Sequence, residues 1–472
     1  MDANLKMIQK EPRKKQKEKA EEKAEEKELI EKTKKISIKE ASASAVSDGV
    51  GMRYITPFAL KLGATNLHIG FLTSLSSLLG NFSQLFTPKL IERVPRKKLL
   101  FFCALVQAIM WLFVMFVGAL FFLFHIDSKI APTVLVIIYT ILIAAGAFMT
   151  PAWNSWMKDI VKEKAGAYFG KRNKIAGFIA VISMLAAGFV LDYFAKTKIF
   201  IGFFLLFALA FFARLISSLL LLKKYEPKLI HEKGYYFSFF QFIKYAPKSN
   251  YGKFAIFVSL IQLTTAIASP FFSVYMLKHL GFSYTRWIIV IIASSFVALM
   301  LMPMWGKFAD RYGNIKAIKI TAFLVPLVPL LWLASPLLPR QYLLFYLILV
   351  EMFSGAAWAG FNLASSNFVY DAVTRQRMAL CVAYSNFLNG IGVFIGATLG
   401  GLISSIPFSI FGFESILIVF FISGIARFAT AFLMVPKIKE VREVERFGIK
   451  EAKEKLMLGI TKFGKIFSTT SD

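Results

Sequence analysis

Four residues of one apolar stretch, Glu351, Gly355, Trp358 and Asn362, fall at i, i+4, i+7 and i+11, which sets them on one face of a helix. The stretch is long enough to cross a hydrocarbon layer, and Glu351 stands near its middle. A carboxyl at that depth has two chemistries open to it. It can carry a proton across the layer, or it can stand as half of a static ion pair with an arginine such as Arg53. Asp48 presents the same alternatives in KEASASAVSDGVGMRYITPFAL, the least hydrophobic of the long stretches. On a regular helix Asp48 and Arg53 point roughly 140° apart, so at least one of them needs a partner on another helix. Gly49 and Gly51 beside them let a neighbour approach closely or let the helix bend.

Other polar residues in apolar surroundings carry weaker signals. Trp153, Asn154 and Trp156 combine stacking surface with an amide, which suits a polar organic solute; tryptophans anchoring the end of a span account for the same residues. Gln262 with Thr265, and Asn386 with Asn389, either bond a solute or bond across helices. No catalytic constellation accompanies them. GAYFGKR at Gly166 lacks the spacing and the preceding strand of a phosphate-binding loop, the four His make no metal pattern, and no Ser elbow or Cys–His pair offers a nucleophile. Neither an enzyme nor an ATP-driven pump is expected, and no cofactor or metal.

The elements that position these residues follow from composition. The chain has 472 residues, 57% of them hydrophobic, 50 of them Phe, and a mean hydropathy of +0.61, so its solvent is mostly lipid. Twelve apolar runs of roughly 20 residues or more are each able to span hydrocarbon as a helix. They begin near Ile38, His68, Leu99, Ile130, Lys174, Ile199, Lys253, Thr285, Lys316, Gln341, Met378 and Phe411. The net charge of +28 would suit nucleic acid, but its distribution reports orientation instead. With the amino terminus inside, roughly 46 Lys and Arg fall on the inner tails and loops and about 7 on the outer loops. Both termini and the central linker are therefore expected in the cytoplasm, with the chain in the plasma membrane and no nucleic-acid partner. No apolar core with a cleavage site marks a signal peptide. Cys103 and Cys381 lie within spans and form no C-x-x-C.

The chain also repeats itself. GKFADRYGNIK, Gly306 to Lys316, has a damaged copy, KLIERVPRKK, at Lys89 to Lys98, with Glu92-Arg93 on Asp310-Arg311 and Pro95 on Gly313. The same register lays Gly63 on Gly281. Asp159 precedes Asn173 by nearly the interval at which Asp371 precedes Asn386, and Arg214 and Arg427 sit in matching segments, FFARLISSLLLLKK and GIARFATAFLMVPK, which reads as structural inheritance.

Between apolar spans, the second copy resembles the signature loop of the major facilitator superfamily, Gly-x-x-x-Asp-Arg-x-Gly-x-x-Lys, matched at Gly306, Asp310, Arg311, Gly313 and Lys316. The first copy departs from it at Glu92 and where Thr87-Pro88 and Pro95 replace glycines. The resemblance implies an all-α polytopic fold of twelve transmembrane helices in two pseudo-symmetric six-helix bundles, which rock about a site near the midplane. It implies that spans 1, 4, 7 and 10 line a central cavity, so that Asp48, Arg53, Asn154, Gln262, Glu351, Trp358 and Asn362 face it, with Asn386 and Asn389 between the halves. It implies that Asp310 and Arg311 help hold an inner gate, Glu92 and Arg93 in a weaker version, with Asp159 and Asp371 at the neighbouring helix ends.

The expected boundaries are a Lys/Glu-rich tail at 1–37, bundles at 38–222 and 253–436, a linker with an amphipathic segment at 223–252, and a basic amphipathic tail at 437–472. The linker and the carboxyl tail suit the anionic inner leaflet. The reading is a monomeric secondary transporter for a small organic solute, coupled to protons. A receptor or scaffold that kept the fold without transporting is the alternative from another class; a membrane-embedded transferase would need a carboxylate or metal cluster that is not seen.

Overall fold

The computed structural model describes residues 2–161, 165–227, 237–374, 377–410 and 412–445. The carboxyl-tail helix expected over residues 449–467 lies outside the described residues, as does part of the central linker.

The amino tail and the first span form one helix, Asp2–Val50, followed by a 3-10 turn, Met52–Tyr54, and a second helix, Ile55–Lys61. The first span is thus broken at Gly51, where a Cβ would stand 2.6 Å from the Trp111 ring. The second span is Asn66–Ser83, started by a capping box between Thr65 and His68. Spans 3 to 6 are Arg96–Phe124, Ile130–Ile160, Ala165–Ala195 and Ile199–Leu222. Span 7, Asn250–Ala268, resumes after Pro270 as Phe271–Val274 and a π turn, Tyr275–His279. Span 8 is Tyr284–Tyr312, and span 9 runs in pieces, Asn314–Leu324 and Leu327–Trp332, separated at Pro326. Spans 10 to 12 are Arg340–Ala372, Met378–Ser405 and Ser415–Met434, with a two-residue hairpin pairing Ser409 with Glu414 before the last.

Ten described helices are long and apolar enough to cross a membrane, and these are spans 3 to 12. Spans 1 and 2 are absent from the ten: the first carries charge and is broken, the second is short and serine-rich. Lipid-facing positions are apolar in turn. Phe102, Phe116, Phe178 and Phe212 are exposed on spans 3 to 6, and Phe296 and Leu299 on span 8.

Packing divides the chain into two compact units. One gathers Met1–Tyr236, Val258–Ile292 and Val382–Ser423; the other gathers Phe237–Phe257, Ala293–Cys381 and Gly424–Asp472. In the first, Trp111 stacks on Phe207, and Phe58 lies edge-on to Phe207 at 4.9 Å. Tyr54 donates to the Met184 carbonyl at 2.6 Å and sits edge-on to Trp287. Asp192 at the end of span 5 accepts from the Tyr284 and Thr285 N–H groups at 2.7 and 3.0 Å, capping span 8. In the second unit Phe254 packs on Phe368 at 4.6 Å and Phe257 on Phe361 at 6.0 Å.

Candidate functional site

The break in span 1 sets Asp48 on one side and Arg53 on the other, so the separation expected for a regular helix does not apply. Arg53 is exposed and Asp48 half-buried. Asp48 lies within electrostatic reach of Arg214 on span 6 and of Arg53, which supplies the partner on another helix. Arg214 itself is a strut. It donates to Ser44 at 2.7 Å and to Gln107, whose amide in turn donates to the Leu142 carbonyl at 2.8 Å. One turn away, buried Glu40 receives Lys224 at 3.1 Å, Arg172 at 3.5 Å and Ser217 at 3.3 Å. Burial pushes the Lys224 ammonium below its ordinary value, and Glu40 pulls it back up. Sequence reading missed this cluster; its signal was a lone carboxylate, Glu40, among the small residues at the start of the first span.

The same unit holds a cavity of about 390 Å³ whose polar lining is Thr56, Thr73, Ser76, Ser77, Asn81 and Tyr139, from spans 1, 2 and 4. Ser76 and Thr140 share a hydrogen bond at 3.3 Å, and Asn81 donates to the Ser77 carbonyl at 2.9 Å. Asn386 on span 11 donates to Gln84 at 3.3 Å, so it bonds across helices. Asn389 is half-buried, with its amide oxygen unpaired among the described residues, and Gln262 is half-buried. Trp153 is covered by Arg172 at 4.6 Å and by Phe169, while Trp156 is fully buried and donates to the Tyr225 carbonyl at 2.9 Å. Neither offers a stacking face of the kind expected; Asn154 between them is exposed.

In the second unit Glu351 is half-buried and faces the side chains of Trp332 and Ser294 and the charge of Arg427. The arginine that acts on it within this unit is Arg427 of span 12. Arg427 is 1% exposed and donates to the Val325 carbonyl at 3.3 Å. Pro329 removes the i+4 donor of that carbonyl, which takes only the Val328 N–H at 3.4 Å from its own helix and has room for Arg427. Along the stripe, Gly355 packs against the Ser294 carbonyl, Trp358 lies edge-on to Phe361, and Asn362 is exposed.

The loop residues are gathered at two helix starts. Before span 3, Glu226 accepts from the Arg96 and Lys97 N–H groups at 2.8 and 3.1 Å. Arg96, 1% exposed, binds Asp159 at 2.6 Å and Ser155 at 3.1 Å. Glu92 and Arg93 are exposed beside it. Before span 9, Glu440 accepts from the Ile315 N–H at 2.8 Å, and Asn314 donates to Asp371 at 2.6 Å. Arg442 reaches Asp371 at 3.0 Å and Asp310 only at 4.0 Å, while Arg311 pairs with Glu445 at 2.5 Å. Gly313 has φ +96°, and a Cβ there would meet the Glu440 carboxylate, two reasons for glycine at that place in the motif. A Cβ at Gly306 would lie 3.6 Å from Leu363, an ordinary contact, so nothing in its packing demands glycine there, and Lys316 is half-buried.

The sequence profile of the Major Facilitator Superfamily matches residues 42–249 and again residues 254–469. The chain belongs to the major facilitator superfamily. Among solved structures, this facilitator chain is similar to the nucleoside transporter NupG, with TM-score 0.65, 16% identity, and 87% of this chain and 99% of that one covered. It is similar to the xylose transporter XylE from E. coli, with TM-score 0.61, 14% identity, and 89% and 100% covered. A bacterial homologue of the iron transporter ferroportin gives TM-score 0.63 at 13% identity, with 87% and 98% covered. At these identities the likeness speaks for the fold. A comparison with curated protein sequences finds no match. The duplicated facilitator profile accounts for the repeat read from the loops, and Glu226, Glu440, Arg96 and Arg442 are the loop residues that motif reading passed over.

Proposed function

We propose that the chain is a secondary transporter that moves a small organic solute by alternating access, driven by protons that Glu351 carries. The observation that carries this reading is Glu351 itself. An ionisable side chain within a span is costly and marks a pathway by default, and this one sits among hydrogen-bonding groups. A D-xylose-proton symporter is among the solved structures with this fold, which agrees in kind. The halves at 38–222 and 253–436 rock against each other. Asp310, Arg311, Asp159 and Asp371 work the gate on the face of the termini, and Asp192 must release the start of span 8 for the opposite face to open. Both termini lie in the cytoplasm, the membrane is the plasma membrane, and the working unit is a monomer. The linker helix Phe239–Tyr245, with Phe240 and Tyr245 exposed beside Lys244, rests on the anionic leaflet.

The test uses protein reconstituted in vesicles, with a solute identified by thermal stabilisation. Solute-driven proton movement is expected in the wild type and absent in Glu351→Gln, which keeps solute counterflow. Persistent coupling in the variant assigns the proton elsewhere. The charge of Arg427 favours a second reading, in which Glu351 is its static counter-ion; loss of folded yield in Glu351→Gln, rescued by Arg427→Met, is the result that reading requires. Binding without any flux assigns the chain to the receptors.

A further inference from the structure

The cavity between spans 1, 2 and 4 says what kind of solute suits it. Its six polar lining residues are hydroxyls and one amide, and none of its lining residues carries a formal charge. A charged solute placed there would be desolvated without a counter-charge, at a cost of several kcal/mol. Ser76 and Asn81 are already engaged, which leaves the hydroxyls of Thr56, Thr73 and Tyr139 without a protein partner among the described residues. A hydroxyl both donates and accepts, so a wall of them matches a ligand whose groups do the same. Ile55, Leu72, Gly80, Ile143 and Ala147 complete the lining with C–H surface, suited to the faces of a saturated ring. The volume of about 390 Å³ is near the low end of small-molecule sites.

The charges that act on the cavity's phenol fit this picture. Asp48 and Arg53 both act on Tyr139, but with opposite sign, and neither lines the cavity. The repeat sharpens it. The register that lays Asp159 on Asp371 lays Tyr139 on Glu351, so the first half carries a neutral phenol where the second carries a carboxyl. From these observations we infer that this cavity binds a neutral, polyhydroxylated ring, held by Thr56, Thr73 and Tyr139. The inference rests on the transport reading for its purpose but not for its test.

Two sources share this chemistry, free sugars or cyclitols and the ribose of nucleosides. Purified protein in detergent would be heated with D-glucose, myo-inositol and uridine, and with D-glucose 6-phosphate, D-glucosamine and citrate as charged controls. At least one neutral compound is expected to raise the melting temperature, and the charged ones to leave it unchanged. Glucose or inositol alone assigns the sugar arm, and uridine alone the nucleoside arm. Tyr139→Phe and Thr73→Val, each keeping the unliganded melting temperature, are expected to weaken that binding tenfold or more. The second variant, nearly isosteric, keeps the test valid where the first does not fold. Stabilisation by charged solutes only, no response to any neutral compound up to tens of millimolar, or full binding in both variants would each overturn the inference. Counterflow in vesicles separates the two claims: neutral binding without flux removes the transporter and keeps the site, whereas flux of a charged solute alone keeps the transporter and removes the site.

Discussion

In the first half Glu226 caps the third span and Arg96 beneath it holds Asp159; in the second Glu440 caps the ninth span, and the residue aligned with Arg96 is Asn314, which holds Asp371. An amide cannot neutralise a carboxylate, and the charge is supplied instead by Arg442, from the segment after the last span. The first latch is built around a buried cation, 1% exposed, and the second around one that is 36% exposed. Burial decides what each is worth. A buried cation whose side chain has four partners, Glu226, Ser155, Asp159 and the Pro227 carbonyl, cannot be removed cheaply, whereas a partly exposed one is replaced by solvent. The struts show the same drift: Arg214 is held by the Gln107 side chain, and Arg427 by the Val325 carbonyl, which stands at the aligned position.

The largest expected effect is therefore on the first half. Arg96→Met should cost on the order of 3 kcal/mol, read as a fall in melting temperature and folded yield, whereas Arg442→Met should cost less than about 1 kcal/mol. Equal losses would show that the two latches are energetically alike despite their parts. Next come the caps. Glu226→Gln and Glu440→Gln should each cost about 1 kcal/mol, because each removes charge from a helix N-terminus and keeps the shape. A silent Glu440→Gln would break the correspondence between the two segments that follow spans 6 and 12. The smallest effect on stability belongs to Asp310→Asn, since Asp310 is 75% exposed and 4.0 Å from Arg442. Solute flux should fall in that variant while the melting temperature holds, and unchanged flux would remove Asp310 from the gate.

Much of this fold is legible in the sequence alone. The repeat was carried by Lys89 on Lys307 and Lys98 on Lys316, and the spans by runs of apolar residues, because lipid forces every spanning backbone into a helix. The candidate site was legible in part. Glu351 and Asp48 stood out because charge in an apolar run is costly, but their surroundings did not: Arg427 and Arg214 come from helices remote in sequence. Glu92 and Arg93 drew attention by their place in a motif, and the buried Arg96 beside them did not, since a run of Arg-Lys-Lys looks the same whether it faces water or a carboxylate.

Local rules acting along the chain were sufficient for class, span positions, duplication and the glycine at Gly313, since hydropathy and backbone geometry are properties of short segments. Which carboxylate meets which cation, where span 1 breaks, and that six hydroxyl- and amide-bearing residues line one cavity are decided by helices far apart in sequence. Only the tertiary structure brings those together, because a side chain's partner is set by the packing of neighbouring helices and not by its own.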